Sequence, residues 1–430
     1  DPPRARRLTR FKSMEWNTMA NEQPYRAIPI SEHVYWVGGI DWSIRDFHGY
    51  LTSRGTTYNA FLVVNGDVDK GGKAILVDTV KRPFYDELVS RISSVIDPQR
   101  IDTIISHHAE MDHSGCLPEI CDLVKPSRVL TSKAGVLALR EHFPLEDVPL
   151  EAVKGGSTVD LDGMRFLFQE TRMLHWPESM VSFLENDGVL FAQDAFGLHL
   201  ASQLRWADEL SWSVVEEETA KYFANILLPF AAPVGKILDK LSDVILSSKV
   251  IATDHGPLWR KDIDKLFGLY QKWAAREPSK KIAVAYASMW QSTEKMARAI
   301  AEGAADAGVE TKLLGLKTSH RSDVAAEVLD AAALLIGTPT LNGQLYPTVA
   351  DLLSYLRGLK PKGLLGASFG SYGWNTTAVK QAQEGLEAFD VEIVREPLAV
   401  KFVPTTEDLL ACRAYGAEIA QAVLERVGAK

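Results

Sequence analysis

The stretch Ser106-His107-His108-Ala109-Glu110-Met111-Asp112-His113-Ser114-Gly115 decides how this chain is read. It follows the apolar run at residues 101–105, so a strand empties into a loop too dense in polar groups to be core. His175 comes after 61 intervening residues, Asp194 after 18 more, and His255 after a further 60. The seven groups are His108, Glu110, Asp112, His113, His175, Asp194 and His255. They can give each of two metals two imidazoles and one carboxylate, with the seventh side chain shared, a mixed N/O ligation that suits first-row ions. The arrangement predicts redox chemistry on a binuclear centre. Histidines outside this spacing, His33, His107, His142, His199 and His320, read as ordinary surface residues. His48, in Asp46-Phe47-His48-Gly49, stands between a pocket residue and a satisfied loop histidine.

The 430 residues exceed what one core usually holds, so two or three domains are expected. A hydrophobic content of 46% and a charged content of 24% are those of a soluble globular protein. The net charge of -9, with no basic stripe interleaved with aromatics, argues against nucleic acid as a partner. Only Cys116, Cys121 and Cys412 occur, none in a C-x-x-C pair, which excludes a disulfide framework and an all-cysteine zinc or iron–sulfur site. No apolar run is long enough for a membrane span, and the expected location is the cytoplasm. Residues 1–26 carry Arg4, Arg6, Arg7, Arg10 and Lys12 without an apolar segment behind them, and read as a disordered tail or an added segment.

Residues 27–276 are expected to form one domain. Short alternating segments at 34–37, 60–64 and 74–77 read as antiparallel strands. A helix follows from near Pro83, the segment 216–247 reads as strongly helical, and each candidate ligand follows a strand or lies in a loop beyond one. After a linker at 277–280 the rhythm changes, and 281–430 reads as a second domain of recurring strand, loop and helix. Its first loop, Ser288-Met289-Trp290-Gln291-Ser292-Thr293, opens a helix. Hydroxyls and free amides there form a phosphate cradle that needs no lysine. Two later strand ends supply Thr338-Pro339-Thr340-Leu341-Asn342-Gly343 and Ser371-Tyr372-Gly373-Trp374. A five-stranded parallel sheet with a ligand at its carboxyl edge is predicted.

The first domain resembles the metallo-β-lactamase fold, an αββα sandwich. Hydrolases of that fold usually show His-x-His-x-Asp-His, whereas Glu110 occupies the second histidine position here. A carboxylate in place of imidazole shifts preference from zinc towards iron or manganese. The second domain is similar to flavodoxin, a doubly wound parallel sheet, and its three loops then imply FMN, with Trp290, Tyr346 and Trp374 near the ring. Joined in one chain, the two halves resemble the flavodiiron proteins over residues 27–427. By that resemblance His108, Glu110 and His175 bind one iron, Asp112, His113 and His255 the other, and Asp194 bridges them. His48 becomes a proton donor or gate.

The resemblance implies reduction of O2 to water, of NO to N2O, or both, with FMN relaying electrons from rubredoxin or a similar external donor. Two Fe(II) and one reduced FMN hold the four electrons that O2 requires. The reading inclines to O2 reduction with NO activity besides. A head-to-tail homodimer, or a dimer of dimers, is the assembly the family implies. The rival reading is a metallohydrolase with an accessory flavin domain, which would retain zinc and cleave esters without reductant.

Overall fold

The computed structural model describes residues 22–66 and 73–428. Most of the expected tail at 1–26 lies outside the described residues. The chain is tied down by Tyr25, whose amide donates to Ser90 Oγ at 3.1 Å, and Ala27 N reaches Ser94 Oγ at 3.0 Å.

Two sheets build the first half. The seven-stranded sheet runs in the order Ile28–Pro29, Val34–Trp36, Phe61–Val64, Ala74–Val77, Ile101–Ile105, Arg128–Thr131, Leu150–Ala152. The five-stranded sheet runs Thr158–Leu161, Met164–Glu170, Met180–Leu184, Val189–Gln193, Val250–Thr253. The central strands of the first sheet are buried on both faces, and their alternation sorts side chains into two cores. Phe61, Val63, Ile75, Val77 and Ile105 pack with Phe166, Phe168, Val189 and Phe191 between the sheets. Leu62, Val64, Leu76 and Ile104 face the other way and meet Leu88, Ile92, Leu117, Ile120 and Leu139. Those last residues come from helices Tyr85–Ser93, Leu117–Val124 and Lys133–His142. Each fully buried Leu, Ile or Phe contributes about 1.5–3 kcal/mol to this sandwich.

The helical segment 216–247 is interrupted. Trp212–Tyr222 passes into a wide turn at Phe223–Leu227, a tight turn at Leu228–Phe230, and then Ala231–Ser247. Pro229 lacks the amide that an uninterrupted helix would use, which explains the break. The strand expected from residue 281 begins at Ser279, inside the expected linker, because Ser279 N donates to Asp330 O at 2.7 Å and extends the pairing.

The second half is a parallel sheet in the order Glu310–Gly315, Ser279–Tyr286, Ala331–Gly337, Leu365–Tyr372. The fifth position is shared by Glu392–Ile393 and Leu398–Lys401, both parallel to Leu365–Tyr372. Pro397 between them cannot donate to the ladder, which accounts for the split strand.

The chain divides into two compact units that interleave in sequence. Among the described residues, the first holds 22–45, 52–219 and 236–268, and the second holds 46–51, 220–235 and 269–428. Aromatic packing explains part of this division: within the second unit Phe223 lies 5.1 Å from Tyr270 and 5.5 Å from Trp273.

In the second unit, helices Ser292–Asp306 and Thr406–Gly428 approach so closely that a Cβ at Gly416 would overlap the carbonyl of Ile300, and one at Gly303 that of Arg413. Alanine gains about 1 kcal/mol of helix propensity over glycine. Overlap with rigid backbone outweighs this, because overpacking costs about 1–3 kcal/mol beyond the relaxation available. Gly416→Ala is therefore expected to lower the urea midpoint of the second unit; a raised midpoint would show that the helices can part without cost.

Candidate binuclear metal site and flavin cavity

Four strand ends on two sheets bring the seven predicted ligands together. Ile101–Ile105 leads to His108, Glu110, Asp112 and His113, the last two on the short helix Met111–Ser114. His175 follows Met164–Glu170, Asp194 directly follows Val189–Gln193, and His255 follows Val250–Thr253. His108, Glu110, His175 and Asp194 offer ligand atoms that all lie within 4.8 Å of one another, and so do Asp112, His113 and His255.

Asp194 joins the two groups. Its Oδ2 lies 3.5 Å from His108 Nε2 and 3.3 Å from His175 Nε2. Its Oδ1 lies 3.3 Å from His113 Nε2 and 3.5 Å from His255 Nε2. Glu110 Oε2 closes the first group, 3.2 Å from His108 Nε2 and 3.1 Å from His175 Nε2. Asp112 closes the second, 3.4 Å from His113 Nε2 and 3.3 Å from His255 Nε2. Two donors bound to one ion at about 2.0–2.2 Å, with angles of roughly 90–110°, stand about 2.8–3.6 Å apart. Every one of these separations falls in that range.

The imidazoles are aimed from behind. His108 Nδ1 lies 2.7 Å from Glu178 Oε1, and His255 Nδ1 lies 2.8 Å from the carbonyl of Thr57. His113 Nδ1 faces Asp254 Oδ2 at 3.5 Å. Such outer partners fix the ring so that Nε2 presents its lone pair to a metal. Both carboxylate oxygens of Asp112 and both ring nitrogens of His113 are buried without a hydrogen bond among the described residues. A metal ion is the partner this donor set fits, since burying unsatisfied polar atoms is costly.

Electrostatics agree. Burial alone would make His175 neutral, but hydrogen bonds to Asp194 and Glu110 outweigh it and hold the imidazole up at about 10. His113 is likewise buried, and the charges of Asp112 and Asp194 push it well above its ordinary range. Burial would raise the Asp194 carboxyl, yet His113 and His175 hold it well below. Without metal the cluster gathers protons that a cation displaces.

Sequence spacing missed Glu178, Asp254 and Thr57, which touch the ligands from outside. Asp254 carries a signal in being next to His255, whereas Glu178 carries none. Two histidines read as surface residues are fully buried instead. His107 is held by Asp78 Oδ2 at 2.6 Å and Ser182 Oγ at 2.8 Å. His199 lies 4.8 Å from the His255 ring, with Nδ1 2.8 Å from Thr56 Oγ1. Burial and then His255 drive His199 well below its ordinary pKa. His48 is in neither metal group; it is exposed, at the tip of a hairpin in the second unit.

In that unit a cavity of about 330 Å³ opens at the carboxyl edge of the sheet. Met289, Trp290, Ser292, Pro339, Thr340, Ser371, Tyr372 and Gly373 line it, as all three predicted loops require. Ser288, Gln291, Thr293, Thr338, Leu341, Asn342, Gly343, Tyr346 and Trp374 do not line its walls. Thr293 instead buttresses the wall, 2.9 Å from Ser371 Oγ, and Gln291 takes φ 66° to turn the chain into helix Ser292–Asp306. Phe402 and Val403 complete the wall from beyond Leu398–Lys401, a fourth strand end that three-loop reading overlooked. The buried hydroxyls Ser288 Oγ and Thr340 Oγ1 have no hydrogen bond among the described residues, and indole Trp290 is 90% exposed. Hydroxyls and helix amides for a phosphate beside apolar surface for a ring fit FMN.

A binuclear metal pocket in a two-sheet sandwich, carried on one chain with a flavin cavity, defines a metalloflavoprotein. Residues 56–256 match the family described as ODP family beta lactamase, and residues 284–416 match flavodoxin. A nitric oxide reductase of Moorella thermoacetica is 40% identical over 401 residues, covering 93% of this chain and 99% of that protein. The solved rubredoxin oxygen:oxidoreductase of Desulfovibrio gigas superposes with a TM-score of 0.89 at 38% identity, covering 94% of this chain and 100% of the other. The flavodiiron protein of Giardia intestinalis gives 0.88 at 30% identity, covering 94% and 98%. The chain belongs to the flavodiiron protein family. Among the described residues no helix is long and apolar enough to cross a membrane.

Glu178→Ala is expected to weaken metal binding about 10–100-fold, because His108 loses its orienting partner; chelator competition measures this, and unchanged affinity would remove Glu178 from the site. Loading apoprotein with Fe(II) at pH 7 should release protons from His175 and His113, so apparent affinity rises with pH. Calorimetry in buffers of different ionisation enthalpy reads the proton count, and no release would mean the imidazoles were already neutral.

Proposed function

We propose that this protein is a flavodiiron oxidoreductase that reduces O2 to water, NO to N2O, or both. The observation that carries the proposal is the split of Asp194, whose two oxygens each face a different pair of imidazoles. His108, Glu110 and His175 would hold one iron, Asp112, His113 and His255 the other, with Asp194 common to both. When bound, two irons adjacent to one another and an FMN reduced by two electrons supply between them the four electrons for O2, or the two for coupling two NO.

The chain's own contribution is positioning. Four histidines and three carboxylates, mostly shielded from water, would hold the ions without needing to reorganise. Glu110, rather than a third imidazole in its group, adds the negative charge that favours iron over zinc. Hydroxyls of Ser292 and Thr340, with amides at the start of Ser292–Asp306, would hold the FMN phosphate. Pro339, Tyr372 and Gly373 would border the ring, with Trp290 and Phe402 beside them.

His48 is proposed as the proton donor or gate, after the family's histidine in the Phe47-His48-Gly49 segment. The electron donor is proposed to be a rubredoxin or a protein like it, after the activity named for the Desulfovibrio gigas relative. A head-to-tail homodimer is proposed as the working assembly, and the cytoplasm as its location.

Anaerobic assays of iron- and FMN-loaded protein with rubredoxin and its reductase, following O2 and NO in parallel, test the activity. Glu110→Ala should remove at least about 100-fold of turnover on either gas, an estimate based on losing a group the metal chemistry requires, while the flavin absorbance stays. Full turnover in that variant would reject the site assignment, and zinc retention with ester cleavage would point to a hydrolase.

A further inference from the structure

The segment that carries His48 is held by the flavin-type unit. Asp46–Phe47 and Tyr50–Leu51 pair as an antiparallel hairpin, with Phe47 opposite Tyr50 and only His48 and Gly49 between them. Both turn residues have positive φ, 54° at His48 and 82° at Gly49, which is the two-residue turn that matches strand twist. A non-glycine residue in left-handed backbone is uncommon, although histidine is among those that tolerate it best, and contacts from outside the turn help to hold it there.

Arg321, the first residue of helix Arg321–Val328, supplies that support. Its Nε donates to the carbonyl of Gly49 at 3.1 Å, and a Cβ at Gly49 would run into the guanidinium. The guanidinium is itself fixed on two more sides, by an ion pair with Asp351 and by the Tyr355 ring at 5.0 Å. The adjacent Ser322 Oγ accepts from Leu51 N at 3.2 Å, closing the hairpin's other side. Tyr50 is 1% exposed, with Lys221 Nζ 5.6 Å from its ring centre, and Lys221 is in turn paired with Asp323 at 2.6 Å. Tyr355 OH donates to Asn225 Oδ1 at 2.7 Å, and Asn225 Nδ2 donates to the Ser322 carbonyl at 3.1 Å. The tip of the hairpin therefore rests on one cation that is oriented by its own partners.

We infer that Arg321 is a positioning residue: it fixes the backbone of the His48–Gly49 turn and so governs how His48 is presented during turnover. The inference rests on the reading of His48 as proton donor. A lysine cannot reproduce the fork that reaches Gly49 while pairing with Asp351, because its ammonium is a single point charge on a flexible stem.

The test compares Arg321→Gln, His48→Asn and the double variant in the full-length, iron- and FMN-loaded protein, with Ser322→Ala as a milder variant should Arg321→Gln fold poorly. Hydrogen exchange at residues 46–51 should quicken about tenfold or more in Arg321→Gln, while helix Thr406–Gly428 keeps its protection and flavin and iron contents hold. Turnover should fall with the KM for the gas unchanged, and the double variant should turn over no more slowly than His48→Asn, because the two residues act as one unit. Unchanged exchange in the hairpin, or losses that multiply in the double variant, would overturn the role of Arg321. If His48→Asn retains full turnover, the reading of His48 fails and this inference falls with it; if His48→Asn is slow and the losses multiply, only Arg321 is wrong.

Discussion

One carboxylate, Asp194, ties the first unit to its chemistry. It is 1% exposed and directly follows a strand buried along its whole length, so its two oxygens face four imidazoles from a rigid base. Removed from water, such a carboxylate survives only beside positive charge, whether protons on His113 and His175 or metal ions. The sandwich exists to satisfy that condition. The two sheets, packed face to face, each contribute strand ends to one pocket, and the shared core of Phe61, Phe166 and Phe191 holds those ends in place.

Ligands alone do not make such a pocket. His108 and His255 each present Nε2 because Nδ1 is already engaged, by Glu178 and by the Thr57 carbonyl. Glu178 is itself fixed, since its Oε1 also accepts from Ala109 N at 3.1 Å, so the loop that carries His108 and the residue that orients it are locked together. The second unit uses a different economy. Its cavity relies on neutral hydroxyls and amides at a helix start, with no lysine or arginine among its walls. Neutral donors hold an anion while leaving the ring side free for apolar contact, which is where Trp290 and Phe402 stand exposed.

The units do not follow the order of the chain. Residues 46–51 and 220–235 leave the sequence of the first unit to pack in the second. The anchors are specific: Arg321 on Gly49, Ser322 on Leu51, and Asn225 between Ser322 and Tyr355. A residue near the start of the chain can thereby depend on one almost three hundred positions later, which gives the flavin-type unit a physical hold on His48.

The seven candidate ligands could be picked out in the sequence because chemistry at a metal demands particular side chains, and strand-then-loop spacing reports where a strand ends; the structure brings their side chains together. The flavin loops were legible for the same reason, each being a polar break after a buried strand. Tertiary structure alone decided the rest. Glu178 reaches His108 across 70 residues, Phe402 enters the cavity from a fourth strand end, and His199 is buried against His255 although its neighbours look like loop. The interleaving of the two units is of this kind too, because hydrophobic periodicity says which face of a segment is buried but not which core receives it. Local pattern carries the types of group a site needs, whereas partners brought together across the chain, and the unit that holds each segment, follow from packing in three dimensions.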